Sequence, residues 1–227
     1  MYWDPTLILV IIGALICAVA SFNVKTTFSR FSNQSNARRM TGRDAAEAIL
    51  HNAGIYDVTI ELEQGHLTDH YSPKEKVLRL SSSVYGSTSI AAIGVAAHEC
   101  GHAIQHQEQY LPLNLRSIAV PVANIGSALS WPIIVIGVLL GFMGLARIGV
   151  FLFSFVVLFQ LITLPVEFNA SRRALRILRD TSILSDNELV GAKKVLSAAA
   201  LTYVAALFSS ILQLLRLALY VRGNDRD

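Results

Sequence analysis

Val95-Ala96-Ala97-His98-Glu99-Cys100-Gly101-His102-Ala103-Ile104-Gln105 reads as a helix that carries two imidazoles one turn apart. Residues four apart share a helix face and differ by about 6 Å in rise, so His98 and His102 can reach one metal at Zn–N distances of roughly 2.0–2.1 Å. Glu99 beside them completes the HExxH pattern, in which the carboxylate takes a proton from metal-activated water. Upstream, Ser87-Thr88-Ser89 offers capping hydroxyls, and the apolar, alanine-rich run 90–97 reads as a buried helix. Burying His, Glu and His without a metal would leave three costly polar groups close together. Cys100 sits about 100° round the helix from its neighbours and is expected to pack as a small apolar residue. His106 continues the series, but about 12 Å of rise separates it from His98, so it belongs to the helix end.

Outside this stretch the composition is that of a membrane protein. Of 227 residues 53% are hydrophobic and only 15% charged, with a mean hydropathy of +0.49; a soluble domain carries about 25% charge. The excess is concentrated in 6–22, 118–146, 148–166 and 195–215, each near the ~20 apolar residues of a spanning helix. The first is expected to be a retained anchor rather than a cleaved leader, because Asp4 and no basic residue precedes it. The second is too long for one straight span and holds Pro121 and Pro132, which are expected to divide it into a helix over 117–130 and a descending span over 131–146. Cys17 and Cys100 fall in such different surroundings that no disulfide framework is implied.

Lys25, Arg30, Arg38, Arg39 and Arg43 follow the first apolar segment, and Arg172, Arg173, Arg176, Arg179, Lys193 and Lys194 follow the third. Both basic loops fall on one side, which the positive-inside rule places in the cytoplasm. The net charge of +3 therefore reads as membrane orientation. No basic stripe with interleaved aromatics indicates nucleic-acid binding.

The one sizeable polar region has a readable order. Thr41-Gly42-Arg43-Asp44 opens a helix over 45–52 with a capping box, and Gly54 closes it. Val58, Ile60 and Leu62 alternate with polar residues as in a strand, and 67–71 and 77–80 read as two more strands joined across Ser72-Pro73-Lys74-Glu75. The expected fold is α+β and zincin-like: mainly helical, about four transmembrane helices, and a small antiparallel sheet before the HExxH helix. Val77, Leu78, Arg79 and Leu80 are the strand expected to hold an extended substrate by strand addition.

A hydrolytic zinc takes three protein ligands and leaves room for water. His66, Asp69 and His70 are candidates from the sheet. Glu167 is another: it closes the apolar run 148–166, where an uncompensated carboxylate is costly, and the hairpin of spans returns it to the side of His98 and His102. The bland alternative pairs it with Arg172 or Arg173. Ser171, one turn further, can hydrogen-bond a ligand histidine. For a transition-state donor Tyr203, His106 and Arg173 stand unranked.

Gly65-His66-Leu67-Thr68-Asp69-His70-Tyr71, Lys76-Val77-Leu78-Arg79-Leu80, the HExxH helix, and Glu167-Phe168-Asn169-Ala170-Ser171 together resemble the YugP-like family of neutral zinc metallopeptidases of bacterial membranes. The resemblance covers nearly the full chain. It implies a membrane-bound gluzincin with one zinc per chain on His98, His102 and Glu167, and Glu99 as general base. More distantly the layout is similar to Ste24/HtpX-type peptidases, which have an Asp where this chain has Ser171. The implied partners are a peptide or protein substrate, membrane proteins included, and the lipid bilayer, with the site on the cytoplasmic face of the bacterial plasma membrane.

The expected organisation is an anchor over 1–23, a cytoplasmic zincin-like region over 24–116, a membrane hairpin over 117–166, a third-ligand helix and loop over 167–194, and a C-terminal helix and tail over 195–227. Two readings compete with peptide hydrolysis at the membrane surface. A site-2-type intramembrane protease would bury the motif within a span, against the polar run Gln105-His106-Gln107-Glu108 that follows it. A non-catalytic zinc scaffold would close the site with a fourth ligand and has no need of Glu99.

Overall fold

The computed structural model describes residues 6–223; Asp4 and the tail charges Asp225, Arg226 and Asp227 lie outside them. The elements run α1 (Leu7–Ser32), α2 (Gly42–Asn52), β1 (Thr59–Glu63), β2 (His70–Ser72), β3 (Val77–Ser81), α3 (Ser82–Tyr85), α4 (Ile90–Gln107), α5 (Leu111–Leu139), α6 (Met143–Asp180) and α7 (Asp186–Gly223). α1, α5, α6 and α7 are long and apolar enough to cross a membrane. The α+β membrane architecture expected from the sequence is therefore present.

Two compact units divide the chain. Among the described residues one comprises 6–21, 115–164 and 201–223, the other 22–114 and 165–200. In the first, Ile134, Phe153, Val157, Leu207 and Leu217 are packed together, while Ile8, Val19, Ile118 and Phe151 turn outward. Outward apolar side chains on apolar helices are matched to a hydrocarbon solvent. The expected division of 118–146 at its prolines is not found: α5 is one helix with Pro121 and Pro132 inside it. A proline removes one ladder bond and crowds the preceding turn, but in lipid any further unwinding would expose backbone groups with no water to receive them. The break falls instead at Gly141, whose φ of +66° reverses the chain and lets Phe142 N–H bond the Gly137 carbonyl at 2.8 Å.

The second unit is built on α4. Ser89 caps it by accepting from Ala92 N–H, and its Ala92, Ile93, Ala96, Ala97 and Cys100 lie in a core with Ala45, Ala46 and Ile49 of α2 and Leu178, Leu189 and Ala192 of α6 and α7. The capping box of α2 forms as expected: Thr41 accepts from Asp44 N–H and the Asp44 carboxylate accepts from Thr41 N–H.

The sheet has the order β1-β3-β2 and is mixed, not antiparallel throughout. β2 and β3 form the expected antiparallel hairpin, with Tyr71 opposite Leu78. β1, however, runs parallel to β3, with Glu61 opposite Arg79. The chain reverses between β1 and β2 and again between β2 and β3, so β3 returns in the direction of β1, and with Val77, Leu78 and Leu80 all buried it takes the centre. The expectation that Val77, Leu78, Arg79 and Leu80 receive a substrate strand is overturned, since β3 already has a neighbour on each side. The free edges belong to β1 and β2.

Candidate metal centre

His98 and His102 lie on one face of α4, their ring centroids 4.8 Å apart and their planes at 84°. Glu167 comes to them from α6 because the two helices approach closely at Gly101. A Cβ there would stand 2.7 Å from the Ala170 carbonyl oxygen, so the small fourth residue of the motif sets the separation. The result is a group of three donors, His98, His102 and Glu167, whose ligand atoms all lie within 4.8 Å of one another. Glu167 Oε2 is 3.3 Å from His98 Nε2 and 3.6 Å from His102 Nε2. Ligands about 2.05 Å from a tetrahedral zinc stand roughly 3.3 Å apart, so the set fits that ion.

The outer nitrogens are held. His98 Nδ1 lies 3.1 Å from Ser171 Oγ, as expected for that serine, and His102 Nδ1 lies 3.0 Å from Gln105 Oε1. Both Nε2 atoms therefore turn inward beside a carboxylate that is 2% exposed. Such a cluster calls for a positive charge. Burial disfavours charging His102, yet Glu167 and Glu99 outweigh it and raise its pKa above the ordinary value.

Glu99 is buried beside this group, and burial pushes its carboxyl pKa up against the lowering influence of His98 and His102. One of its oxygens accepts from the Tyr71 backbone N–H at 3.1 Å. β2 is an edge strand, so alternate N–H groups point away from the sheet, and this one is aimed at the carboxylate. The Tyr71 hydroxyl lies 2.9 Å from His106 Nδ1, and both line a cavity of about 640 Å³ together with Tyr56, Asp57, Lys76 and Ala103.

The other sequence candidates fall elsewhere. Asp69 accepts from Ser81 N–H at 2.7 Å and from Ser81 Oγ at 2.9 Å, which pins the loop before β2; burial raises its pKa. His70 Nδ1 lies 2.8 Å from the Thr68 carbonyl, and His66 occupies the exposed turn before β2. Arg173 pairs with Glu108 at 2.7 Å, and Arg172 Nε donates to the Phe168 carbonyl. Cys100 packs against α2 with its thiol toward the Ala46 carbonyl, as a small apolar residue would. Three contributors escaped sequence reading: Gly101, Gln105 and the Tyr71 N–H. Only Gly101 left a signal there, as a glycine in a helix otherwise rich in alanine.

This donor set could hold one metal ion. Sequence comparison agrees: the chain belongs to the family described as "Putative neutral zinc metallopeptidase", whose model matches residues 6–222. It is similar, at 48% identity over 209 residues covering 92% of this chain and 93% of the other, to the "Putative membrane protease YugP" of Bacillus subtilis (strain 168). No solved structure matches it.

Proposed function

We propose that this chain is a membrane-bound zinc endopeptidase whose ion is held by His98, His102 and Glu167, with Glu99 as general base and the site on the cytoplasmic face. The observation that carries the reading is the convergence of three donors, His102 and Glu167 buried and His98 half-buried, with a carboxylate beside them that is not one of the three. Zinc, when bound, supplies a Lewis acid and brings the pKa of water toward about 7. Glu99 takes the proton of the attacking water and passes it to the leaving amine. Tyr71 N–H holds one Glu99 oxygen and leaves the other for that transfer.

Strand addition is excluded at β3, and the outward Tyr71 N–H of β2 is already given to Glu99, so the cavity past Tyr71 is the feature proposed to take a substrate side chain. Substrates are peptides or unfolded segments of proteins, membrane proteins included. The cytoplasmic orientation is supported by the lysines and arginines that follow the first and third apolar segments.

Metal analysis and peptide cleavage on purified protein test the proposal. Wild type is expected to hold one zinc. Glu167→Ala is expected to lose it, and undiminished zinc there would remove the third ligand. Glu99→Gln is expected to keep zinc and lose at least about 10²-fold in turnover, the size of a missing acid–base group. Retained turnover would end its assignment as base.

A further inference from the structure

The two histidines are supported in chemically different ways. Ser171 meets His98 through a hydroxyl, which can donate or accept and so leaves open which ring nitrogen carries the proton. Gln105 leaves no such freedom to His102.

Its side chain is fully buried and fully used. One end contacts the Val166 carbonyl at 2.9 Å and Asn169 at 2.9 Å, and the other contacts His102 Nδ1 at 3.0 Å. A backbone carbonyl can only accept, so the end facing Val166 is the amide NH2. The Asn169 atom it reaches also receives Arg173 Nε at 2.7 Å; a guanidinium can only donate, so that atom is the Asn169 oxygen. Two acceptors thus fix the Gln105 amide, and its oxygen must face His102. His102 Nδ1 then carries a hydrogen, which leaves Nε2 as the nitrogen that can offer a lone pair to a metal. The far end is anchored as well: Arg173 pairs with Glu108 and lies 5.8 Å from the Tyr110 ring centre.

We propose that Gln105 is the positioning residue of the metal centre, locking the His102 tautomer and, through the Val166 carbonyl, holding the α6 backbone that presents Glu167. Resting on the zinc reading above, this assigns one amide to the alignment of two of three ligands. The geometry gives it a reach that Ser171 lacks: the Gln105 amide spans α4 and the residue immediately before Glu167.

The test is zinc affinity by chelator competition on purified full-length protein, with visible absorption of the cobalt-substituted form and thermal unfolding of the metal-free form. Gln105→Leu is expected to weaken zinc about 10- to 100-fold and to alter the cobalt spectrum, the range seen when outer partners of ligands are removed. Gln105→Glu keeps an acceptor for His102 but cannot donate to Val166 or Asn169, so it is expected to recover part of that loss. Ser171→Ala is expected to lose less than Gln105→Leu. A merely structural role would lower the metal-free unfolding temperature and leave zinc affinity and the cobalt bands alone. Gln105→Leu binding zinc within about threefold of wild type, with an unchanged spectrum, would overturn the proposal. If that variant does not fold, Gln105→Glu decides: affinity equal to wild type overturns it and intermediate affinity supports it. Wild type without zinc, by contrast, would overturn the metal site itself, whereas zinc lost in His98→Ala and kept in Gln105→Leu would overturn only the clamp.

Discussion

α4 and α5 are both apolar helices, yet they solve opposite problems. Fourteen residues of α4, from Ile90 to Gln105, are buried by other parts of the chain. α5 turns Ile118, Val122, Ile125 and Leu139 outward. Hydropathy alone cannot separate these cases, because a protein core and a bilayer are equally poor in water. What separates them is residue size and the polar groups carried. α4 is rich in alanine and glycine, which let α2 and α6 come close, and its His98, Glu99, His102 and Gln105 each have a polar partner. α5 presents large aliphatic side chains and no acid after its start. Small residues with satisfied polar groups mark a helix buried by protein; large ones mark a helix solvated by lipid.

Substitutions can break this contrast. The largest effect is expected from Ile93→Ala, a fully buried core residue, at about 2–5 kcal/mol of stability in detergent unfolding. Phe151→Ala, where the ring is 63% exposed on α6, is expected to stay within about 0.5 kcal/mol by the same measurement. Equal losses at the two positions would show that the outward face of the span is packed against something other than lipid. Gly101→Ala comes next. Its new Cβ would meet the Ala170 carbonyl at 2.7 Å, so α4 and α6 must part, at about 1–3 kcal/mol and with weakened zinc binding. Zinc affinity as in wild type would mean that the close crossing does not set the site. Among the three losses expected in the second unit the smallest belongs to Thr41→Ala, which removes the α2 cap at about 1 kcal/mol in the same unfolding assay. No loss there would show that this helix end is held by tertiary packing instead.

Much of this fold was legible where local rules decide. The α2 capping box, the HExxH helix and the hairpin of β2 and β3 each follow from spacing and turn chemistry within a few residues. Reading failed where the deciding partner was distant in sequence or where the solvent changed. Prolines 121 and 132 end helices in water, but α5 continues through them. Gly141, the actual turn, was overshadowed by them. The parallel pairing of β1 with β3 depends on β3 entering the sheet between β1 and β2, and no alternation pattern encodes that choice.

The sequence by itself determined the chemistry on offer: two histidines and a glutamate on one helix, long apolar segments, and a lone carboxylate closing one of them. These are properties of spacing and composition, which a helix's fixed 3.6-residue turn translates directly into geometry. Only the tertiary structure decided which carboxylate joins the histidines, that β2 rather than β3 offers its edge to Glu99, and that Gln105 faces His102 with its oxygen. Each of those depends on contacts across tens of residues, from His98 to Glu167 and from Tyr71 to Glu99, set by how closely α4 and α6 can pack at Gly101 and by which strand is buried deepest.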